Sequence, residues 1–137
     1  MILNQTAVYA LRAAAALAAL PPGMSIRAQE LAERTHVPVH YLSKVMRRLV
    51  LAGLVTSRKG HGGGFALSRP PKQVTFAELL AATDAAPEPG KCAYGWGSCD
   101  PDDPCPLHPT WSSLQEMVGA WSTSCTLDDV DADALPP

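Results

Sequence analysis

The sequence predicts a mainly α-helical fold with one small β-hairpin, arranged as a winged helix-turn-helix followed by a long C-terminal helix. Three observations predict it. Apolar residues recur at helical spacing in the first half of the chain, two strand-like runs flank a glycine-rich turn, and a second apolar stripe follows a loop that contains three cysteines. The length of 137 residues suits one compact domain, or one domain with an appended dimerisation element.

Three helices are expected before residue 53. The first ends at the Pro21-Pro22-Gly23 turn and has an apolar face formed by Tyr9, Ala13, Ala16, Leu17 and Leu20. The second follows Ser25, runs to residue 34 and stops near a turn that contains Pro38. The third is expected over residues 39–52, and its buried face is formed by Leu42, Val45, Met46 and Leu49.

A β-hairpin and a fourth helix complete the predicted DNA-binding domain over residues 1–83. The strands are expected at residues 54–57 and 64–67, and glycines in the turn between them permit positive φ. Thr75 and Glu78 have the spacing of a capping box at the start of a helix over residues 76–83.

The second half divides into a loop, a helix and a tail. Residues 84–108 are rich in Pro, Gly, Asp and Cys and lack apolar periodicity, so they predict one irregular cysteine-rich loop. A dimerisation helix is expected over residues 109–127, with its apolar seam formed by Trp111, Leu114, Val118, Trp121 and Cys125. Residues 128–137 form an acidic tail that is expected to contribute little.

Charge is distributed unevenly along the chain. Residues 1–75 carry ten Lys and Arg against Glu30 and Glu33, a net charge of +8, whereas the remainder carries Lys91 against eleven acids, a net charge of −10. A basic half favours a polyanionic partner, and nucleic acid is the leading candidate. The expected DNA contacts are Tyr41, Ser43, Lys44, Arg47 and Arg48 on the third helix, and Arg58, Lys59 and His61 in the wing. Each cation alone equally suits an ordinary solvated surface; the combination of charge and element order favours DNA.

The apolar run near the N-terminus is too short for a membrane span and lacks a preceding basic region, so neither a membrane anchor nor a secretory signal is expected. A cytoplasmic setting follows. In a reducing compartment, cysteines are more often metal ligands or redox sensors than disulfides.

Cys92, Cys99 and Cys105 are separated by six and five residues, and His108 follows the last cysteine by three. Three thiolates and one imidazole form a complete set of four ligands. Structural zinc usually recruits close cysteine pairs, so the wide spacing favours an iron–sulfur cluster. His108 is alternatively a helix cap, and Cys125 fits the packing seam better than the ligand set.

The sequence resembles the Rrf2 family of bacterial transcription regulators. The residues that carry the resemblance are Tyr41-Leu42, Leu49, the Ala52-Gly53-Leu54-Val55 segment, the wing over residues 60–67 and the three spaced cysteines. The resemblance implies a homodimer with crossing C-terminal helices, in which each subunit places one recognition helix on a palindromic operator of double-stranded DNA. Two positions depart from the family pattern: Lys59 stands where Arg usually precedes the wing glycines, and Ser43 replaces an acidic base-reading residue.

Within that family the fourth cluster ligand is either a histidine shortly after the third cysteine, as in the IscR branch, or an acid in the first helix. No acid precedes Glu30, and Val8 stands in that region, so the resemblance points to His108 and to a 2Fe-2S cluster, with 4Fe-4S left open.

Two other hypotheses stay open at this point. The thiols and His108 equally suit a zinc site, or a thiol/disulfide switch, on the same DNA-binding domain. A small enzyme or a protein-interaction module is the alternative from another class, although the sequence offers it neither a nucleophile–base pair nor a phosphate loop. The sequence does not decide between repression and activation, nor between iron, redox state and nitric oxide as the signal.

Overall fold

In the computed structural model, which describes residues 3–130, the chain forms five α-helices, a two-stranded hairpin and two short 3₁₀ helices. The helices are α1 (Gln5–Ala18), α2 (Ala28–Thr35), α3 (Val39–Leu51), α4 (Phe76–Ala82) and α5 (His108–Ser124). The strands are β1 (Val55–Arg58) and β2 (Gly64–Leu67), and the 3₁₀ helices span Pro71–Gln73 and Leu127–Asp129. The predicted fold class, mainly helical with one hairpin, is confirmed.

Helix α1 lies at the centre of the N-terminal module because its small side chains let other helices approach closely. Ala10, Ala13 and Ala14 are fully buried, and α1 contacts α2, α3, α4 and β2. The Asn4 side chain caps the helix by accepting a hydrogen bond from the N–H of Ala7 at 2.8 Å. The helix ends at Ala18, slightly before the Pro-Pro-Gly turn.

Helix α3 packs on this core with the face that its periodicity predicts. Leu42, Val45, Met46 and Leu49 are all fully buried. At about 1.5 to 3 kcal/mol for each buried apolar side chain of this size, that face fixes the orientation of α3 and of the residues opposite it. The apolar face therefore determines which side chains α3 presents outward.

The hairpin pairs antiparallel from Val55↔Leu67 to Arg58↔Gly64, and a third segment joins it. Ile26, predicted as the start of the second helix, instead forms an isolated bridge with Phe65 through two backbone hydrogen bonds of 3.0 and 2.7 Å. Helix α2 consequently begins at Ala28. A β-branched apolar residue next to a hairpin edge gains more from pairing and burial than from one more helical turn.

The chain beyond α5 returns to the core, which the sequence did not predict. The predicted helix over residues 109–127 begins at His108 and ends at Ser124, and Cys125 takes an extended conformation. Leu127 then enters the core with 2% of its surface exposed, and Thr126 bridges Thr75. Val130 also packs against the core, so the predicted tail contributes through its first residues. The rest of it, residues 131–137, lies outside the described residues.

Among residues 3–130, no helix is both long enough and apolar enough to span a lipid bilayer.

Candidate nucleic-acid interface and metal centre

The outward face of α3 carries the predicted DNA-contacting polar residues. Ser43, Lys44, Arg47 and Arg48 are all exposed, because they alternate with the buried apolar face at helical spacing. Ser43 donates its hydroxyl to the carbonyl oxygen of Val39 at 3.0 Å, so that proton is already used within the helix. Within residues 3–130, Lys44 and Arg47 form no ion pair, whereas Arg48 pairs with Asp84 at 3.1 Å.

Tyr41 lies differently from these residues. Helical periodicity placed it on the exposed face, but it is half-buried, and its hydroxyl is 2.9 Å from the Thr6 hydroxyl of α1. Its ring contacts Tyr9 edge to face, with the centroids 5.0 Å apart. These contacts attach the first turn of α3 to α1, so Tyr41 positions the helix.

The wing turn presents its cations to solvent. Arg58, Lys59 and His61 are exposed, at the end of β1 and in the turn that follows it. The turn is held from outside by Ser25, which donates to the carbonyl oxygen of Gly62 at 2.9 Å, and by Arg27, which donates to that of Gly60 at 3.1 Å. The wing is thus fixed to the segment that leads into α2.

Two glycines are required in this turn. A Cβ on Gly64 would overlap the backbone of Ile26, and one on Gly63 would overlap the carbonyl oxygens of Arg58 and Gly60. Gly64 also has φ of +131°, a conformation that other residues rarely adopt. Gly64 therefore allows the hairpin to pack closely against the Ile26 backbone, and Gly63 allows the turn to close on itself.

The cysteine loop brings all four predicted metal-binding residues to one place. Cys92, Cys99, Cys105 and His108 line the same small cavity, together with Tyr94 and Trp111. The Nδ1 atom of His108 is buried and has no hydrogen-bond partner, which is costly for a polar atom. The cavity between these side chains is only about 10 Å³, and no group of three His, Cys, Asp or Glu side chains in residues 3–130 is arranged to hold a single metal ion.

Backbone hydrogen bonds inside the loop fix Cys92 and Cys99 relative to each other. The N–H of Cys92 donates to the carbonyl oxygen of Gly97 at 2.8 Å, and that of Cys99 donates to Gly90 at 2.6 Å. The N–H of Tyr94 donates to the sulfur of Cys92 at 3.4 Å. Desolvation raises the pKa of Cys99, and the neighbouring thiolates of Cys92 and Cys105 raise it further.

The predicted dimer seam divides into two parts. Trp111, Leu114 and Val118 line a groove of about 590 Å³ that Leu3 and residues 84–88 also border. Trp121 instead packs edge to face on Phe76 of α4, with centroids 5.3 Å apart, and Cys125 is half-buried where its carbonyl oxygen accepts from the N–H of Phe76. Met117, 69% exposed on the same helix, is an apolar residue that the seam pattern omitted.

Three residues that organise these sites were missed from the sequence. Ser25 and Arg27 donate hydrogen bonds to the wing turn. Local sequence patterns do not predict these bonds, because the two partners of each bond are more than thirty residues apart. Asp84, which pairs with Arg48, was predicted only as loop. The Thr126 and Asp129 pair, by contrast, has a capping-box spacing that was available to predict the return after α5.

Comparisons with known proteins agree on one family. A sequence profile described as Rrf2, iron-dependent transcriptional regulator, matches residues 3–133. An HTH-type transcriptional regulator of Aquifex aeolicus is 31% identical over 132 residues, which cover 95% of this chain and 91% of the relative. The HTH-type transcriptional regulator IscR of Klebsiella pneumoniae is 30% identical over 101 residues, 74% of this chain, and the match spans only 61% of that relative.

Solved structures support the fold. The structure of CymR, titled the global cysteine regulator of B. subtilis, superposes with a TM-score of 0.78 at 22% identity and covers 93% of both chains. IscR of T. potens superposes with a TM-score of 0.74 at 22% identity, covering 93% of this chain and 83% of that one. An oxidized form of Staphylococcus aureus CymR has a TM-score of 0.72 at 21% identity, covering 96% of this chain and 99% of that one.

Proposed function

The chain belongs to the Rrf2 family of transcriptional regulators, and from that membership we propose that it binds DNA under the control of an iron–sulfur cluster held by its cysteine loop. The family consists of regulators, which argues against the small-enzyme alternative. We place this function in the cytoplasm, with a palindromic operator as the target and a homodimer as the binding unit.

One observation carries the cluster proposal. Three thiols and an imidazole, drawn from residues 92–108, share one cavity, and the imidazole nitrogen there is buried without a partner. Thiolate and imidazole are the donors that iron–sulfur clusters accept. A two-iron cluster distributes four ligands over two metal atoms, so it does not require three donors around one ion, as a zinc site does.

Each residue of the loop has a defined part in this proposal. Cys92, Cys99 and Cys105 would supply thiolates, and His108 a nitrogen, to a 2Fe-2S cluster; a 4Fe-4S cluster is the second possibility. When bound, the cluster supplies a centre that responds to iron supply, oxidants or nitric oxide. The N–H of Tyr94 donates to the Cys92 sulfur at 3.4 Å and so orients that donor atom within the loop.

DNA binding is assigned to α3 and the wing. Lys44 and Arg47 lie exposed without an ion-pair partner in the described chain, and they are the proposed contacts of the recognition helix. Arg58, Lys59 and His61 are the proposed wing contacts, held by Ser25 and Arg27. Helix α5, through Trp111, Leu114, Val118 and the exposed Met117, is the proposed dimer contact.

Anaerobic purification tests the cluster directly. We expect visible absorption together with bound iron and acid-labile sulfide in the wild-type protein, and their loss in Cys92→Ala, Cys99→Ala, Cys105→Ala and His108→Ala. Cys125→Ala is the matched control, because Cys125 does not line the cavity, and it should retain the full iron content. A colourless wild-type protein after anaerobic reconstitution would exclude the cluster.

A thiol switch is the second candidate, and a specific observation favours it. Cys92 and Cys99 line the same cavity, and backbone hydrogen bonds to Gly97 and Gly90 hold both in one short loop. A solved neighbour of this fold is an oxidized form of CymR. If this candidate is right, treating the iron-free protein with a mild oxidant should produce a Cys92–Cys99 disulfide, detectable by mass spectrometry of non-reduced peptides. Metal analysis of the purified protein distinguishes a zinc site from both the iron–sulfur cluster and the thiol switch.

A further inference from the structure

An ion pair joins the recognition helix to the start of the cysteine loop. Arg48 on the outward face of α3 donates through Nη1 to Oδ2 of Asp84 at 3.1 Å. In the part of the chain that the structure describes, Arg48 is the one cation on that face with an acidic partner. The partner lies 36 residues away along the chain, so the contact is tertiary.

Asp84 occupies a conformationally special position. It follows Thr83, the C-cap of α4, and has φ of +55°, in the left-handed region. Thr83 is buried and donates its hydroxyl to the carbonyl oxygen of Leu79 at 2.9 Å, and the N–H of Ala85 donates to Leu80 at 2.8 Å. The end of helix α4 therefore sets the position of Asp84, which is the first residue of the cysteine loop.

We propose that Asp84 is an autoinhibitory phosphate mimic, which withholds Arg48 from the DNA backbone until the cysteine loop moves it away. The proposal rests on the proposed function, in which α3 binds DNA. A guanidinium group donates its N–H groups to carboxylate and phosphate oxygens alike, so the two anions compete for one group. Arg48 and Asp84 are 46% and 86% exposed, and an ion pair in such contact with water is weak enough to be displaced.

The Arg48–Asp84 pair also connects the recognition helix α3 to the cysteine loop through the Asp84 side chain. A rearrangement that changes the backbone at Asp84 removes its carboxylate from Arg48 and adds one positive charge to the DNA-binding face. The effect on DNA affinity is small per subunit but multiplies across the two recognition helices of a dimer.

The test compares Asp84→Asn with wild type in fluorescence anisotropy titrations on a mixed-sequence DNA duplex of about 30 base pairs, roughly three helical turns. Asparagine tolerates the left-handed region, so the turn is retained. Asp103→Asn is the matched control, since it removes the same charge from an exposed loop position that forms no ion pair within residues 3–130. A second pair of variants carries each of these changes in an Arg48→Gln background.

We expect Asp84→Asn to bind DNA up to about fivefold more tightly per subunit than Asp103→Asn. This is the fold-change in affinity that corresponds to losing an exposed ion pair of roughly 1 kcal/mol. The plot of log affinity against log salt concentration should steepen by about 0.9 for each added phosphate contact. The gain should vanish in the Arg48→Gln background, as a double-mutant cycle requires for a pairwise effect.

Four results would overturn the inference. Equal binding by Asp84→Asn and the control would show that Asp84 withholds nothing, and weaker binding would show that the pair positions Arg48 for DNA. A gain that persists with Arg48→Gln would assign the effect to another group. Absence of DNA binding in every variant and in wild type would overturn the proposed function as well, so the two failures are distinguishable.

Discussion

The wing turn and the cysteine loop are both glycine-rich and irregular, yet they are held in opposite ways. The wing turn is fixed from outside, by Ser25 and Arg27 and by the close approach of Gly64 to Ile26. The cysteine loop is held mainly by hydrogen bonds among its own residues, from 90 to 99. Two side chains of α5 also hydrogen-bond to this part of the chain. The Trp111 indole N–H donates to the carbonyl oxygen of Lys91 at 2.7 Å, and the Gln115 amide donates to that of Glu88 at 3.1 Å.

The difference is consistent with the function proposed for each region. A DNA-contacting turn gains affinity when its shape is set in advance, because less conformational entropy is lost on binding. A sensing loop with mostly internal contacts can rearrange without disturbing the core, as local opening in proteins generally requires. Two substitutions test this contrast directly, a third tests the capping box of α4 between the two regions, and the expected effects decrease from the first to the last.

Gly64→Ala should have the largest effect. The added Cβ would overlap the Ile26 backbone in a residue with φ of +131°, so we expect the free energy of unfolding to fall by roughly 3 kcal/mol or more. Chemical denaturation measures it. The matched change in the cysteine loop is Gly97→Ala, with φ of +90° but open space around the new Cβ, which should cost only about 1 to 2 kcal/mol. Equal costs would remove the proposed distinction between the two regions.

Ser25→Ala should have an intermediate effect that appears in DNA binding. The change removes the hydrogen bond to Gly62, worth about 1 kcal/mol or less at an exposed site, and leaves the wing less ordered before binding. We expect DNA affinity to fall by roughly two- to fivefold in anisotropy titrations. Ser98→Ala, in the cysteine loop, is the control and should bind as wild type; a matching loss there would contradict the assignment.

Glu78→Gln should have the smallest effect and a defined pH dependence. Partial burial raises the pKa of Glu78, but the backbone hydrogen bond from Thr75 and the adjacent Arg69 outweigh it, so its pKa lies below the ordinary 4.5. Because the folded-state pKa is lowered, the stabilisation is present above the unfolded value and is lost as pH falls through the folded value.

Denaturation at several pH values checks this expectation. At pH 7 the variant should be less stable by under about 1 kcal/mol, since the ion pair with Arg69 is partly exposed, and the difference should disappear in acid below the folded-state pKa. Glu116→Gln, an exposed α5 change without an ion pair in the described residues, should show no such pH dependence. A difference that grows in acid would contradict the sign.

Local patterns predicted the elements well, and tertiary contacts explain where they did not. The α3 apolar face and the Thr75–Glu78 capping box are confirmed because both depend on residues within two helical turns. Ile26 joins the hairpin because its partner Phe65 is distant in sequence, and periodicity carries no information about such a partner.

In the candidate sites too, local spacing predicted some features and distant contacts decided others. Spacing along the loop predicted that Cys92, Cys99, Cys105 and His108 belong together, and the structure gathers them around one cavity. The half-buried position of Tyr41 was not predictable, because it depends on Thr6 and Tyr9 of α1. The roles of these residues in binding metal or DNA stay predictions, which the cluster and DNA-binding experiments test.

The burial of Leu127 has a mechanical consequence. Helix α5 is attached to the cysteine loop at one end, through Trp111, and at the other end the chain after it is bonded to Val74, Thr75 and Phe76. A helix secured at both ends cannot shift along its axis without displacing what secures it. A shift of α5 along its axis would therefore strain the bonds that residues 125–127 form with Val74, Thr75 and Phe76.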